Sequence, residues 1–155
     1  PDAVVWDLGA GTGSVSIECA RMCPFGEVYA VEYKPEALDI LEQNKTRFQT
    51  KNLQIIAGRA EEQVQHLPVP DCVFLGGSSG AAKQLVAGLR QLRQPVRLVA
   101  SAVTMETQAE LFPLLQELPQ FEVVQLAVGC GKTVGNYHVL EGNHPVLLFS
   151  CMTKE

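Results

Sequence analysis

Asp7, Gly9, Gly11 and Gly13 fall at alternate positions near the start of the chain, directly after the apolar run Val4-Val5-Trp6. Glycine has no Cβ, so backbone N–H groups at this spacing can approach a ligand that side chains would hold off. Ala10 and Thr12 fill the intervening places, and the loop is small and neutral throughout. An acid two residues before the first glycine suits a ligand that carries an ammonium group. The segment Gly9, Ala10, Gly11, Thr12, Gly13 is therefore expected to cradle S-adenosylmethionine rather than a dinucleotide. Asp7 is expected to anchor either the loop or the amino-acid end of that donor.

Glu32 lies about one strand–helix unit further on, where a carboxylate can accept both hydroxyls of a ribose; a solvated strand-end residue is the plainer reading. Gly58-Arg59-Ala60-Glu61 stands where backbone groups would hold an adenine ring, with Arg59 and Ala60 in the contact. The same four residues also read as a helix start with acids near its positive end. Gly76-Gly77-Ser78-Ser79-Gly80 is a second glycine-rich loop. It offers backbone donors and small hydroxyls to a bulky or anionic acceptor, or else caps the next helix through Ser78 or Ser79. The Asp/Asn-Pro-Pro-aromatic stretch that amino-group methyltransferases place at this point is absent.

The elements that must position these residues alternate strand and helix. Apolar runs predict strands at 4–8, 27–32, 53–57, 71–75 and 96–103. Helical spacing is expected over 14–22, 36–48, 61–66, 81–92 and 105–118, with Ala37, Leu38, Leu41 and Phe48 as the inward stripe of the second. Phe121–Val128 and Pro145–Cys151 are the last two strands, with no room for a helix between them, and Gly129–Thr133 is read as a substrate-side loop. This is an α/β, Rossmann-like class I methyltransferase layout: a mostly parallel seven-stranded sheet with an antiparallel last strand and helices on both faces. Asp7–Gly13, Glu32, Gly58–Glu61 and Gly76–Gly80 then share one sheet edge, beyond the carboxyl ends of the strands.

With 155 residues the chain is read as one domain, residues 1–155, large enough for a substantial core. Its net charge of −5 argues against nucleic acid as partner, since phosphate binding relies on Lys and Arg. No apolar run is long enough to span a bilayer and no signal peptide is visible, so no membrane partner and a cytoplasmic setting are expected. The five cysteines lack the spacing of a zinc or disulfide framework, and no metal site is evident.

Three stretches resemble one family. They are Asp7-Leu8-Gly9-Ala10-Gly11-Thr12-Gly13-Ser14-Val15-Ser16-Ile17-Glu18, then Pro70-Asp71-Cys72-Val73-Phe74-Leu75-Gly76-Gly77-Ser78, and finally Gly135-Asn136-Tyr137-His138-Val139-Leu140 with Asn143-His144-Pro145-Val146. The chain is similar to the decarboxylating carbon-15 methyltransferases of cobalamin biosynthesis, which act on precorrin-6B or its cobalt form. The resemblance spans nearly the whole chain, and the two later stretches are its most particular parts. It implies methyl transfer from S-adenosylmethionine to carbon 15 of a tetrapyrrole, loss of the ring C acetate carboxyl, and S-adenosylhomocysteine as product. It also implies a homotetramer, for which the strands Phe121–Val128 and Val146–Phe149 are the exposed candidates. Gly76, Gly77, Ser78 and His138 become candidates for positioning the acceptor, with Arg59, Lys83 and Lys132 for holding its carboxylates. Plainer readings stand beside these: Lys83 as an exposed helix residue, Arg59 paired with Glu61 or Glu62, His138 as a hairpin filler.

Family members carry a segment before the first strand with a threonine that contacts the donor, and this chain begins without it. Weakened donor binding is expected in consequence, and the chain can also be the carboxyl end of a fused, two-domain C5,15-methyltransferase. The rival readings are a class I methyltransferase acting on tRNA or protein, a catalytically silent interaction domain, and a nicotinamide-dependent oxidoreductase.

Overall fold

Runs such as Val4-Val5-Trp6-Asp7-Leu8 are apolar at consecutive rather than alternate positions, the mark of strands covered on both faces. A computed structural model describes residues 1–76 and 80–155; Gly77 and Ser78, named above, lie outside the described residues together with Ser79. The chain proceeds through β1 (Val4–Leu8), α1 (Ser14–Met22), β2 (Glu27–Glu32), α2 (Pro35–Phe48), β3 (Leu53–Ala57) and α3 (Ala60–Gln63). A 3₁₀ turn over Val64–His66 leads to β4 (Cys72–Leu75), α4 (Ala82–Gln91), β5 (Arg97–Ala102) and α5 (Met105–Leu115). Four strands follow: β6 (Glu122–Leu126), β7 (Gly129–Val134), β8 (Tyr137–Gly142) and β9 (Val146–Met152).

Seven strands form one sheet in the order β3-β2-β1-β4-β5-β9-β6, and every pairing is parallel except the two made by β9. The expected class I methyltransferase sheet is the one found. Alternation along β1 splits the core between its faces. Val5 packs with Ile17, Val28, Leu41 and Leu53 on the α1/α2 side, while Trp6 and Leu8 pack with Leu85, Leu89, Leu98, Leu111 and Phe149 on the α4/α5 side. Asp7 thus faces α1.

Two expectations need correction. Phe48 is exposed at the end of α2, with the Arg47 guanidinium 5.5 Å from its ring, because the last turn of that helix clears the sheet. The stretch from Gly129 is a β7–β8 hairpin rather than an open loop, closed by Gly135-Asn136 with Gly135 at φ 61°. A glycine with positive φ at the first of two turn positions matches the twist of a hairpin, so that signal was present in the sequence. Residues 122–145 are all exposed, which leaves β6 as a bare sheet edge beside a protruding hairpin. The cysteines are free; burial pushes the Cys19 and Cys151 thiols up to about 11, which keeps them neutral. Among the described residues no helix is long and apolar enough to cross a membrane.

Candidate active site

Strand order reverses at β1, with β2 on one side and β4 on the other, and ligands of open parallel sheets collect beyond the carboxyl ends at such a point. A cleft of about 300 Å³ opens there. Gly9, Gly11 and Thr12 form one wall, Glu32, Tyr33 and Lys34 the centre, and Gly58 to Glu61 the opposite wall. The three segments singled out by sequence therefore converge.

Hydrogen bonds from the end of β2 hold the glycine loop. Gly9 and Ala10 donate their N–H groups to the Val31 carbonyl at 2.9 and 3.1 Å, and Gly9, Gly11 and Gly13 take φ values of 77°, 57° and 81°. Gly11 N–H donates to Glu32 Oε2 at 2.8 Å, and the N–H groups of Tyr33 and Lys34 donate to Oε1 at 2.8 and 2.9 Å. Glu32 is buried, and three backbone donors hold its charge in place. The Asn44 side-chain amide donates to the Thr12 carbonyl at 2.9 Å and ties the loop to α2.

Ala10 and Gly13 of the loop, and Asp7 behind it, do not line the cleft. Asp7 is 1% exposed; its Oδ2 accepts the Ser16 hydroxyl from α1, and among the described residues its Oδ1 has no partner. Burial pushes its carboxyl up to about 6, opposed by hydrogen bonds from Ser16 and reinforced by the nearby Glu32 charge. An acid raised above its unfolded value of 3.8 favours the fold below that pH and costs stability as pH rises through 6. The cost is about 3 kcal/mol at neutral pH. Asp7→Asn is accordingly expected to raise the melting temperature by roughly 5 °C or more at pH 7.5 and to change it little at pH 4. Melting curves at the two pH values check this.

Gly76 meets the glycine loop directly. Its N–H donates to the Leu8 carbonyl at 2.9 Å, and a Cβ there would stand 3.0 Å from the Gly9 carbonyl oxygen and 3.2 Å from the Phe74 ring. Ser101 on β5, which sequence reasoning missed, donates its hydroxyl to the Gly76 carbonyl at 3.3 Å. A lone serine in a strand carries no signal of such a contact. Tyr33 and Lys34 were also missed, although an aromatic directly after the β2 acid was there to notice. The Arg59 guanidinium lies over the Tyr33 ring at 4.8 Å, and among the described residues it makes no ion pair with Glu61 or Glu62. His138 is exposed on β8, opposite Thr133 in the hairpin. Since β6 runs parallel to β5, the hairpin leaves the sheet at the cleft's edge but from the far flank, and His138 does not line the cleft. Lys132 pairs with Glu141 at 3.0 Å, and Lys83 is exposed on α4.

A family model described as the precorrin methyltransferase domain matches residues 1–153. The chain belongs to that family. It is 34% identical over 152 residues to a cobalt-precorrin-6B C(15)-methyltransferase (decarboxylating) of Salmonella typhimurium, covering 96% of this chain and 78% of that protein. It is 33% identical over 108 residues to a precorrin-6Y C(5,15)-methyltransferase [decarboxylating] of Sinorhizobium, covering 70% of this chain and 26% of that longer protein. Among solved structures, precorrin-6y C5,15-methyltransferase of Geobacter metallireducens superposes with a TM-score of 0.88 at 31% identity, over 97% of this chain and 81% of that one. In this precorrin methyltransferase, then, the cleft at the strand reversal is the common ground between sequence motif and fold.

Proposed function

We propose that the chain transfers a methyl group from S-adenosylmethionine to carbon 15 of a precorrin or cobalt-precorrin macrocycle, with loss of the ring C acetate carboxyl as carbon dioxide. The observation that carries this reading is the cleft with its glycine loop and Glu32, in a family whose Salmonella member is named for that reaction.

The residues present fit such a donor. A carboxylate has about four lone-pair sites, and backbone N–H groups occupy three at Glu32. One ribose hydroxyl is accepted at the free site, and the second requires Gly11 N–H to share or vacate Oε2. A Cβ on Gly11 would meet nothing within 4 Å, so the loop leaves open space there. The Gly58–Ala60 backbone and the Tyr33 ring border the place for adenine. Asp7 Oδ1, buried and without a partner among the described residues, supplies negative charge behind the loop for the donor's cationic end. Donor affinity is then expected to weaken as pH falls through 6, where Asp7 gains its proton, and Asp7→Asn to flatten that profile.

Bound S-adenosylmethionine supplies an electrophilic methyl group on a sulfonium. The chain's task is alignment of that methyl with a nucleophilic carbon, which by itself accounts for a large share of a rate enhancement. Gly76 borders the acceptor because it packs against the donor loop. Arg59 and Lys83 hold acceptor carboxylates; Lys132 does so only by exchanging Glu141 for substrate, and His138 only where the acceptor reaches beyond the cleft to the hairpin. Methylation forms one carbon–carbon bond and breaks the sulfonium S–CH₃ bond, whose pair stays on sulfur in S-adenosylhomocysteine; the carboxylate then leaves as carbon dioxide and its bonding pair neutralises the macrocycle, so no strong base is required of the protein. With isotopically labelled donor and the macrocycle, the expected result is labelled C15-methyl product and one carbon dioxide per methyl. Methylation without carbon dioxide overturns the decarboxylating half.

The bare edge supports an assembly. Val124, Leu126 and Val128 on or beside β6, with Leu140 on the hairpin, form an exposed apolar surface that suits a homotetramer, working in the cytoplasm as a single domain of residues 1–155. Sedimentation velocity that shows only monomer at micromolar concentration counts against that assembly.

A further inference from the structure

A second cavity, of about 250 Å³, lies on the opposite side of α3 from the cleft. Its floor is Trp6 and Leu8 of β1, and its walls are Val64, Leu85 and Leu89. It exists because α3 is a single turn that passes into the 3₁₀ turn at Val64–His66, too short to cover the flank of α4. Gly88 on α4 completes the opening: a Cβ there would meet nothing within 4 Å. A glycine inside a helix is destabilising relative to alanine, and here its effect is to keep the space clear.

Among the described residues, the polar residues of the lining are three. Glu61, Gln65 and Gln84 bring one carboxylate and two amides to a rim around an otherwise apolar pocket. A cavity of 150 Å³ accommodates benzene, so this one has room for a single ring with a short arm. Its one charge is negative. Glu61 also lines the cleft, which makes α3 the shared wall of the two spaces.

We propose that this cavity is a second small-molecule site, for an amine with a one-ring apolar body, coupled to the cleft through α3. The ammonium pairs with Glu61, the ring sits on Trp6 and Leu8, and the occupant sets the position of Arg59, Ala60 and Glu61 on the cleft side. By linkage, donor and amine then alter each other's affinity by the same factor. The site itself stands on the cavity; only the coupling rests on the donor reading above.

Trp6 is the single tryptophan of the chain, so its fluorescence reports the cavity floor directly. Its indole N–H already donates to the Pro68 carbonyl at 3.0 Å, which leaves the ring free to sense an occupant. Titration with 2-phenylethylamine is expected to give a saturable change, absent in Gly88→Leu, whose side chain fills the space. Glu61→Gln is expected to weaken the amine at least 5-fold and to leave neutral ethylbenzene unchanged. Gly88→Met serves where the leucine variant fails to melt cooperatively. No saturable signal with either probe, or amine binding undiminished in both filled variants, overturns the site; equal affinity for amine and ethylbenzene overturns the ligand class. Calorimetry of S-adenosylmethionine with and without saturating amine tests coupling, with a 3-fold or larger shift expected. Normal donor binding without any shift rejects the coupling alone, whereas absence of donor binding in the untreated protein rejects the donor reading and leaves the fluorescence result standing.

Discussion

Glu32→Ala is expected to weaken S-adenosylmethionine binding at least 100-fold, an effect of about 3 kcal/mol. Two losses combine. The ribose loses its acceptor, and the N–H groups of Gly11, Tyr33 and Lys34 lose the carboxylate that orders them. Hydrogen bonds to a charged group contribute about 1.5–3 kcal/mol each, and buried donors left without a partner add their desolvation cost. Glu32→Gln is also expected to bind poorly, because its NH₂ group would confront N–H donors on one side. Calorimetric titration measures the affinity and a melting curve separates lost binding from lost folding. Unchanged affinity in a folded Ala variant removes Glu32 from the donor site.

Gly13→Ala should lower stability by about 3 kcal/mol, a fall of roughly 6–12 °C in melting temperature for a domain of this size. Gly13 has φ +81°, where an L side chain costs about 1–2 kcal/mol. A Cβ there would also sit 1.9 Å from Leu41 Cδ1, and Leu41 is fully buried. Forcing an extra carbon into a packed core costs about 1–3 kcal/mol more. Gly11→Ala carries the backbone strain without the clash and should cost less stability, its damage falling on the cleft instead. A double-mutant cycle with Leu41→Ala isolates the clash: the Gly13→Ala penalty should shrink by about 1–2 kcal/mol in that background. Equal penalties in both backgrounds would falsify the steric part of the account.

Glycine thus serves two different purposes within one loop. At position 11 it leaves open space on the cleft; at position 13 it leaves room for the protein's own core. Spacing alone presented the two as equivalent. In the same way Asp7 reads as an anchor either for the loop or for a ligand, and it lies behind the loop, hydrogen-bonded to Ser16, with one oxygen unsatisfied among the described residues. The arrangement keeps a charge where burial opposes it, a stability cost of the kind that functional sites carry.

Much was legible from local pattern. Strands β1 to β3, helix α1, the glycine turn and the acid ending β2 follow from residue types and period, because backbone geometry is set by neighbours in the chain. The hairpin is legible in principle through Gly135-Asn136, but Gly129–Thr133 reads as a loop because it is glycine-rich and lacks the alternation that marks a half-buried strand. Phe48 fits a helical stripe, yet where a helix leaves the sheet depends on packing and not on period.

The loop Asp7 to Gly13, the acid Glu32 and the parallel α/β order were thus determined by the sequence itself, since each rests on interactions a few residues long. Tertiary structure alone decided that Glu32 is already held by three N–H groups, that Gly76 packs on Gly9 across 67 residues of chain, and that Arg59 lies on Tyr33 rather than on a neighbouring acid. It alone decided, too, that one short helix separates two cavities. Those are contacts between segments that the sheet brings together, and their geometry exists only once strand order and register are set.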